Sequence, residues 1–323
     1  MRPTVLIPTR STVRFSWHYP LGALALAMAV LAVVAVAGLV LDPRQLAGAP
    51  VWAKPLKFAI SVLVYAVSLA WLLPLLPQHR RVAWWAGTAV AVFLGVEMAI
   101  IVGAAAAGVH SHFNVATPVS TALWAVMGAS IAGVWVVSLL VAVLLFRADL
   151  GDRARSLAVR AGLLIALLGM ALGFLMTTPT DGQLTDFKGV AGAHTVGAAD
   201  GGPGLALLGW STVAGDLRVP HFVGMHALQL LPLGALALEL AARRVPALRR
   251  VTVRTGLLWV GAGLYLGLLA VLTLQALAGL QALAGESVLR PSAPTALTTA
   301  ALFSAAAVAG ACVLRRPSVH DAT

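Results

Sequence analysis

Apolar residues in this chain come in long runs, not at the spacing of a surface helix. Eight runs stand out, at 20–41, 56–77, 82–108, 118–146, 157–177, 220–242, 256–279 and 292–314. A helix rises ~1.5 Å per residue and needs roughly 20 apolar residues to cross a bilayer. The pattern therefore predicts an all-α, polytopic membrane helix bundle of about eight transmembrane helices. It forms a single integral domain over 1–323, because most loops are short. The exception is 178–219, "TPTDGQLTDFKGVAGAHTVGAADGGPGLALLGWSTVAGDLRV". A connection this long without helical periodicity is usually functional or disordered. Its aromatic and buried-type residues predict an ordered cap over a cavity.

Composition agrees with lipid as the main solvent. Hydrophobic residues make up 60% of the chain and charged residues 10%, against about 25% charged in soluble domains. Mean hydropathy is +0.94. The net charge of +11 reflects topology and not a nucleic-acid surface. Arg2, Arg10, Arg14, Arg80, Arg81, Arg147, Arg153, Arg155, Arg160, Arg243, Arg244, Arg249, Arg250, Arg254, Arg315 and Arg316 all fall on one side of an eight-span arrangement. Arg44, Lys54, Lys57, Lys188, Arg218 and Arg290 fall on the other. The positive-inside rule then places both termini in the cytoplasm and the long cap outside, in a cell membrane. Ala35-Val36-Ala37 resembles a signal-peptidase site behind a basic segment; cleavage there would leave seven spans. The one cysteine, Cys312, excludes a disulfide scaffold or a cysteine-rich metal site.

With orientation assigned, polar residues concentrate toward the outer side. Counting inward, Ser61 and His226 fall at roughly 9 Å, Gln229 at about 13 Å, Tyr65 near ~15 Å and Glu97 near ~16 Å. Lys57, Ser61 and Tyr65 share one stripe by their i, i+4, i+8 spacing. His226 and Gln229 share a face, whereas His221 points away and belongs with the loop. Polar groups at matching depth on three helices predict one enclosed polar site opening outward. Glu97 is the sharpest of them, since an ionisable side chain near mid-bilayer is a functional candidate by default. It is read as a general acid, or else as a protonated carboxyl bonded to Tyr65 that joins helices. Glu239 is expected to pair with Arg243 at the inner surface.

Three short stretches could carry chemistry. "WAKPLKFAIS" (52–61) supplies Lys54 and Lys57 at the outer boundary, as interfacial anchors or as ligands of an anionic substrate head. "HSHFN" (110–114) and "PHFVGMH" (220–226) supply His110, His112, His221 and His226 on that same side. Converging imidazoles could ligate copper, zinc or haem iron, transfer protons, or bond the cap loop. "AGAHTVGAADGGPG" (191–204) lacks the Lys-Ser/Thr of a phosphate-binding loop. Asp181, Asp186, Asp200 and Asp216 could act as acids, ligate a cation, or pair with Lys188 and Arg218. No D-D-x-x-D motif is present, which argues against ionisation of an isoprenoid diphosphate.

W-x-K-P-x-K-F-x-x-S, S-H-F-N and P-H-F-x-G-x-H-A-L-Q together resemble a large family of eight-span bacterial membrane proteins over nearly the whole chain. That family has Gln and Arg shortly before S-H-F-N, where this chain reads "VGAAAAGVHSHFN". The chain also resembles the membrane-bound cyclases of bacterial drimentine-type prenylated-indole biosynthesis. That resemblance implies protonation of an alkene or epoxide by a buried acid, followed by carbocation cyclisation without an added cofactor. In those roles Glu97, Asp181, Asp186 or Asp216 would be the proton donor. Phe113, Trp124, Trp210 and Phe222 would line the pocket and stabilise cations through their π faces. Lys57, Tyr65, Asn114, His226 and Gln229 complete the expected substrate contacts. Three functions follow as expectations: acid chemistry on a lipophilic, isoprenoid substrate; a metal or haem redox protein; and a small-ligand transporter or sensor.

Overall fold

The computed structural model describes residues 18–46, 48–278 and 286–315. Arg2, Arg10, Arg14 and Arg316 of the charge pattern lie outside these residues. The helices are α1 (Tyr19–Leu41), α2 (Ala53–Leu72), α3 (Arg80–Ala107), α4 (Pro118–Arg147), α5 (Arg153–Leu172), α6 (Asp181–Thr185), α7 (Arg218–Ala241), α8 (Val251–Ala278) and α9 (Ala293–Leu314). Among the described residues, eight helices, all but α6, are long and apolar enough to cross a membrane. The protein is a multi-pass, all-α membrane bundle. Successive spans run antiparallel, so the arginine-rich connections share one end and the cap lies at the arginine-poor end.

Local chemistry sets the helix ends. Thr117 caps α4 by accepting from Ser120 N–H, with Pro118 in the first turn, where its missing donor costs nothing. Asp152 caps α5 by accepting from the Ala154 and Arg155 N–H groups. Gly108 ends α3 in the left-handed conformation at φ 68°. Capped polar residues at the arginine-rich end extend several helices beyond their apolar runs: α5 begins at Arg153 and α8 at Val251. The helix α1 runs unbroken through Ala35-Val36-Ala37.

Two apolar cores hold the bundle. One joins α1–α5 through residues such as Leu21, Ala66, Val90, Ile101, Met127 and Val141. The other joins α5, α7 and α8 through Ile165, Ala227, Leu231, Leu258 and Leu269. Between α5 and α7 the backbones nearly touch. A Cβ built on Gly169 would lie 2.4 Å from the carbonyl carbon of Gly224, and one on Gly162 would lie 2.7 Å from the Ala227 oxygen. In lipid, such close approach replaces the hydrophobic drive that soluble helices have. By contrast, α9 packs chiefly on α8 and, among the described residues, buries Val313 alone.

Three expectations are corrected here. His221 is a helical residue of α7, held by helix α5, and is not part of the loop: its Nδ1–H donates to the Gly169 carbonyl oxygen at 2.7 Å. Glu239 pairs with Arg155 of α5 at 2.6 Å and not with Arg243, because α5 and α7 lie side by side. The segment 178–219 is shorter as a loop than expected, since α7 begins at Arg218 and α6 occupies Asp181–Thr185. The rest of the cap is ordered by backbone pairing. Antiparallel β3 (Thr195–Val196) and β4 (Gly215–Asp216) follow a smaller hairpin of β1 (Gln45–Leu46) and β2 (Ala49–Pro50).

Candidate functional site

The α3–α4 connection folds back into the bundle. His110, Ser111, His112, Phe113 and Asn114 form a re-entrant turn, with Phe113 in the left-handed region at φ 60°. A non-glycine residue there costs about 1–2 kcal/mol and persists only when its surroundings enforce it. They do so from both sides. Asn114 donates to the His110 carbonyl and accepts from Ala116 N–H, knotting the turn. The cap then zips onto it: Val115 N–H donates to Gly189 O at 2.8 Å, and Ala191 N–H to Phe113 O at 2.9 Å. Gly189 and Gly192 permit this approach at positive φ; a Cβ on Gly192 would lie 2.6 Å from the Phe113 ring.

This turn carries His112 down to Glu97. Its Nε2 lies 3.5 Å from Glu97 Oε1, and its Nδ1 is 3.2 Å from Ser111 Oγ. Glu97 is 1% exposed, and its Oε2 has no hydrogen-bond partner among the described residues. Aromatic rings enclose the imidazole: Phe58 and Trp124 both lie 5.4 Å from it by ring centroid, and Phe113 lies 6.1 Å away. Phe113 in turn meets Trp124 at 5.2 Å and the cap residue His194 at 4.9 Å. Lys54 extends over Phe58, its ammonium 5.8 Å from the ring centroid, on the side of this aromatic group.

Electrostatics in the loops follow from burial. His112 is held well below the usual imidazole value of 6.5, first by burial, then by the Lys54 and His194 charges. His110 is lowered by burial and by Lys54, with Asp200 opposing. His194 is lowered by burial despite its 2.7 Å bond to Asp200, which raises it. At Asp200 burial acts upward but is outweighed by the His194 hydrogen bond and charge and by the His194 and Thr195 N–H groups. Its carboxyl is thereby held well below the ordinary range.

A second polar group lies deeper. Gln229 Nε2 donates to Ser68 Oγ at 2.8 Å, and its Oε1 accepts from His226 Nδ1–H at 3.1 Å. Phe222 packs on His226 at 4.3 Å and on Trp210 at 5.4 Å. Tyr65 hydrogen-bonds Ser138 of α4 and is not the partner of Glu97. The single enclosed polar site expected from residue counting is therefore two groups. No hydrogen bond or ring contact joins them among the described residues. Counting placed Glu97 level with Tyr65, but its neighbour is His112, whose ring packs on Phe58 of α2.

The remaining candidates fall elsewhere. Asp181 opens the exposed α6, and exposed Asp186 pairs with Lys188 at 2.7 Å. Asp216 is buried, but it is fully engaged by Arg218 and by the Ser211 and Arg218 N–H groups. Lys57 donates to Leu208 O in the cap at 3.0 Å. His110, His112, His221 and His226 do not converge, and no cluster of three or more His, Cys, Asp or Glu fit to hold a metal ion occurs among the described residues. Two shallow concavities lie at the arginine-rich end, around Leu75–His79 with Arg147–Asp149 and around Leu240–Val245. Sequence reasoning missed Phe58, Ser68 and Ser138 as members of these groups, and it named His194 and Asp200 in the cap without placing them beside Phe113. Only a folded cap brings His194 and Asp200 to Phe113, and no motif announces it.

The fold and site define a class: a polytopic helix bundle with a cap clamped over its arginine-poor end and a buried acid–imidazole pair beneath it. Compared with models of known protein families, with curated proteins and with solved structures, the chain matches none.

Proposed function

We propose that the protein is an enzyme of the cell membrane that protonates a lipophilic, isoprenoid-type substrate and closes a ring, with Glu97 as proton donor. The observation that carries this is the orphaned Oε2 of Glu97, buried beside an aromatic cluster. Buried polar atoms are nearly always bonded, and an exception calls for an explanation such as a reacting partner. The chemistry balances within the pair. Glu97 gives its proton to one carbon of a C=C bond, whose π electrons form the new C–H bond. The resulting cation is captured by a second C=C bond, forming the ring C–C bond. Loss of a proton from the ring cation restores a double bond. With Nδ1–H donating to Ser111 Oγ, the neutral His112 ring keeps a lone pair on Nε2 to accept that proton. It returns the proton to the Glu97 carboxylate across 3.5 Å. Phe58, Phe113 and Trp124 offer π faces to the passing cation. Because the cap presses on Phe113, substrate entry requires the 189–191 contact to open.

The test is turnover of farnesyl-bearing substrates by purified protein in D2O. One carbon-bound deuterium is expected in the cyclised product, with turnover lost in Glu97→Gln while the protein stays folded. Undiminished turnover by Glu97→Gln would reject the reading. Metal analysis and visible spectra of the same preparation check the alternative: stoichiometric copper, zinc or haem iron that disappears in His112→Ala would replace acid chemistry with metal chemistry.

A further inference from the structure

Beside this site, two helix starts and the cap bring three cations together. Lys54 and Lys57 sit three residues apart on α2, and Arg218 opens α7. A Cβ built on Gly209 would lie 3.7 Å from Arg218 Nη1 and 3.8 Å from Lys57 Nζ, so the two side chains flank the same glycine. The counter-charge is unequal to them. Asp216 is bound to Arg218 through Nε and Nη2, leaving Nη1 without a hydrogen bond among the described residues. Lys57 has one partner, the neutral Leu208 carbonyl. Lys54 has no hydrogen bond or ion pair among the described residues, and its ammonium lies over Phe58, the ring that packs on His112. Asp200, the other acid of this region, is held by His194.

A snorkelling lysine would carry its charge out to water; Lys54 holds its ammonium over Phe58. Unused donors on three cationic side chains suit a ligand with several anionic oxygens, which a phosphate offers and a hydroxyl does not. We infer that Lys54, Lys57 and Arg218 bind the phosphate-type head of the substrate while its hydrocarbon tail lies against Phe58, Phe113 and Trp124. This rests on the acid-initiated reading and deepens it. The head is held by protein cations with no acidic metal-binding motif nearby, so the phosphate is retained and the reaction starts at the distal alkene.

The test measures binding apart from turnover. The purified protein in phosphatidylcholine nanodiscs is titrated with farnesyl phosphate, farnesol, inorganic phosphate and phosphatidic acid, followed by tryptophan fluorescence. Farnesyl phosphate is expected to bind, weakened about tenfold or more by Lys54→Gln or Lys57→Gln and largely retained by Lys54→Arg. Farnesol should bind weakly and be indifferent to these substitutions. Equal lysine-dependent binding of inorganic phosphate would make this a free-anion site and overturn the inference, as would preference for phosphatidic acid or binding indifferent to both lysines. Lysine-dependent binding of farnesyl phosphate without turnover would leave the head site standing and reject the acid chemistry.

Discussion

Two imidazoles sit inside this bundle in opposite circumstances. His221, on the α5–α7 seam, spends its Nδ1–H on the Gly169 carbonyl at 2.7 Å, and its ring fills the space beside Gly173. His112, on the re-entrant turn, meets a carboxyl at 3.5 Å whose other oxygen has no partner among the described residues. A satisfied polar group in an apolar setting joins helices, whereas an unsatisfied buried oxygen is an exception that calls for an explanation. The backbone differs in the same sense. The seam is regular helix closed by glycines, and the turn holds Phe113 in a strained conformation enforced by the cap. One region explains how the helices pack, and the other carries the site of the proposed chemistry.

The largest effect should come from closing the seam's gap. Gly169→Leu places a side chain where Gly224 already lies, and overpacking costs about 1–3 kcal/mol or more. Folded protein recovered by size-exclusion chromatography should fall sharply, while Gly234→Leu, with open space around its Cβ, should match the parent. Next, exchanging imidazoles should separate the two roles. His221→Leu leaves a buried carbonyl unpaired at a cost of about 1–3 kcal/mol, lowering the melting temperature of detergent-purified protein without disabling Glu97. His112→Phe, within an aromatic surround, should leave stability nearly unchanged and abolish turnover. Equal stability losses from both would erase the distinction.

The titration of the loops comes third. His110, His112 and His194 are held below 6.5 in the folded state by burial and by the charge of Lys54. The unfolded chain therefore binds more protons as pH falls through 6.5, and stability is lost in that direction. Melting temperature should be highest above pH 7 and decline toward pH 5, with a shallower decline in His112→Phe. A flat profile would mean that these rings are already solvated. The smallest structural effect is expected at His226, whose loss leaves the Gln229–Ser68 bond in place. His226→Leu should express and melt like the parent yet lose function; full function would make that histidine packing alone.

The sequence made the eight helices legible because lipid demands long apolar runs, and their ends agree with the structure to within a few residues. The burial of Glu97 was legible for the same reason, as a lone acid in an apolar run. Its partner was not. Depth counting along α2 and α3 assumed level helix ends, and it could not foresee a turn that carries His112 back into the bundle. The histidines of "PHFVGMH" looked alike in sequence, but a 100° step per residue sends His221 to α5 and His226 to Gln229. The cap's acids looked equivalent too, until backbone pairing buried Asp216 against Arg218 and left Asp181 and Asp186 in water.

The central claim is that Glu97 carries a transferable proton within an apolar setting. Dicyclohexylcarbodiimide partitions into apolar sites and modifies protonated carboxyl groups, so its adducts on lipid-embedded protein, mapped by mass spectrometry at neutral pH, test the claim most directly. Modification at Glu97, in preference to exposed Asp181 and Asp186, is the predicted result. A Glu97 that stays unmodified while the cap's acids react would contradict the account.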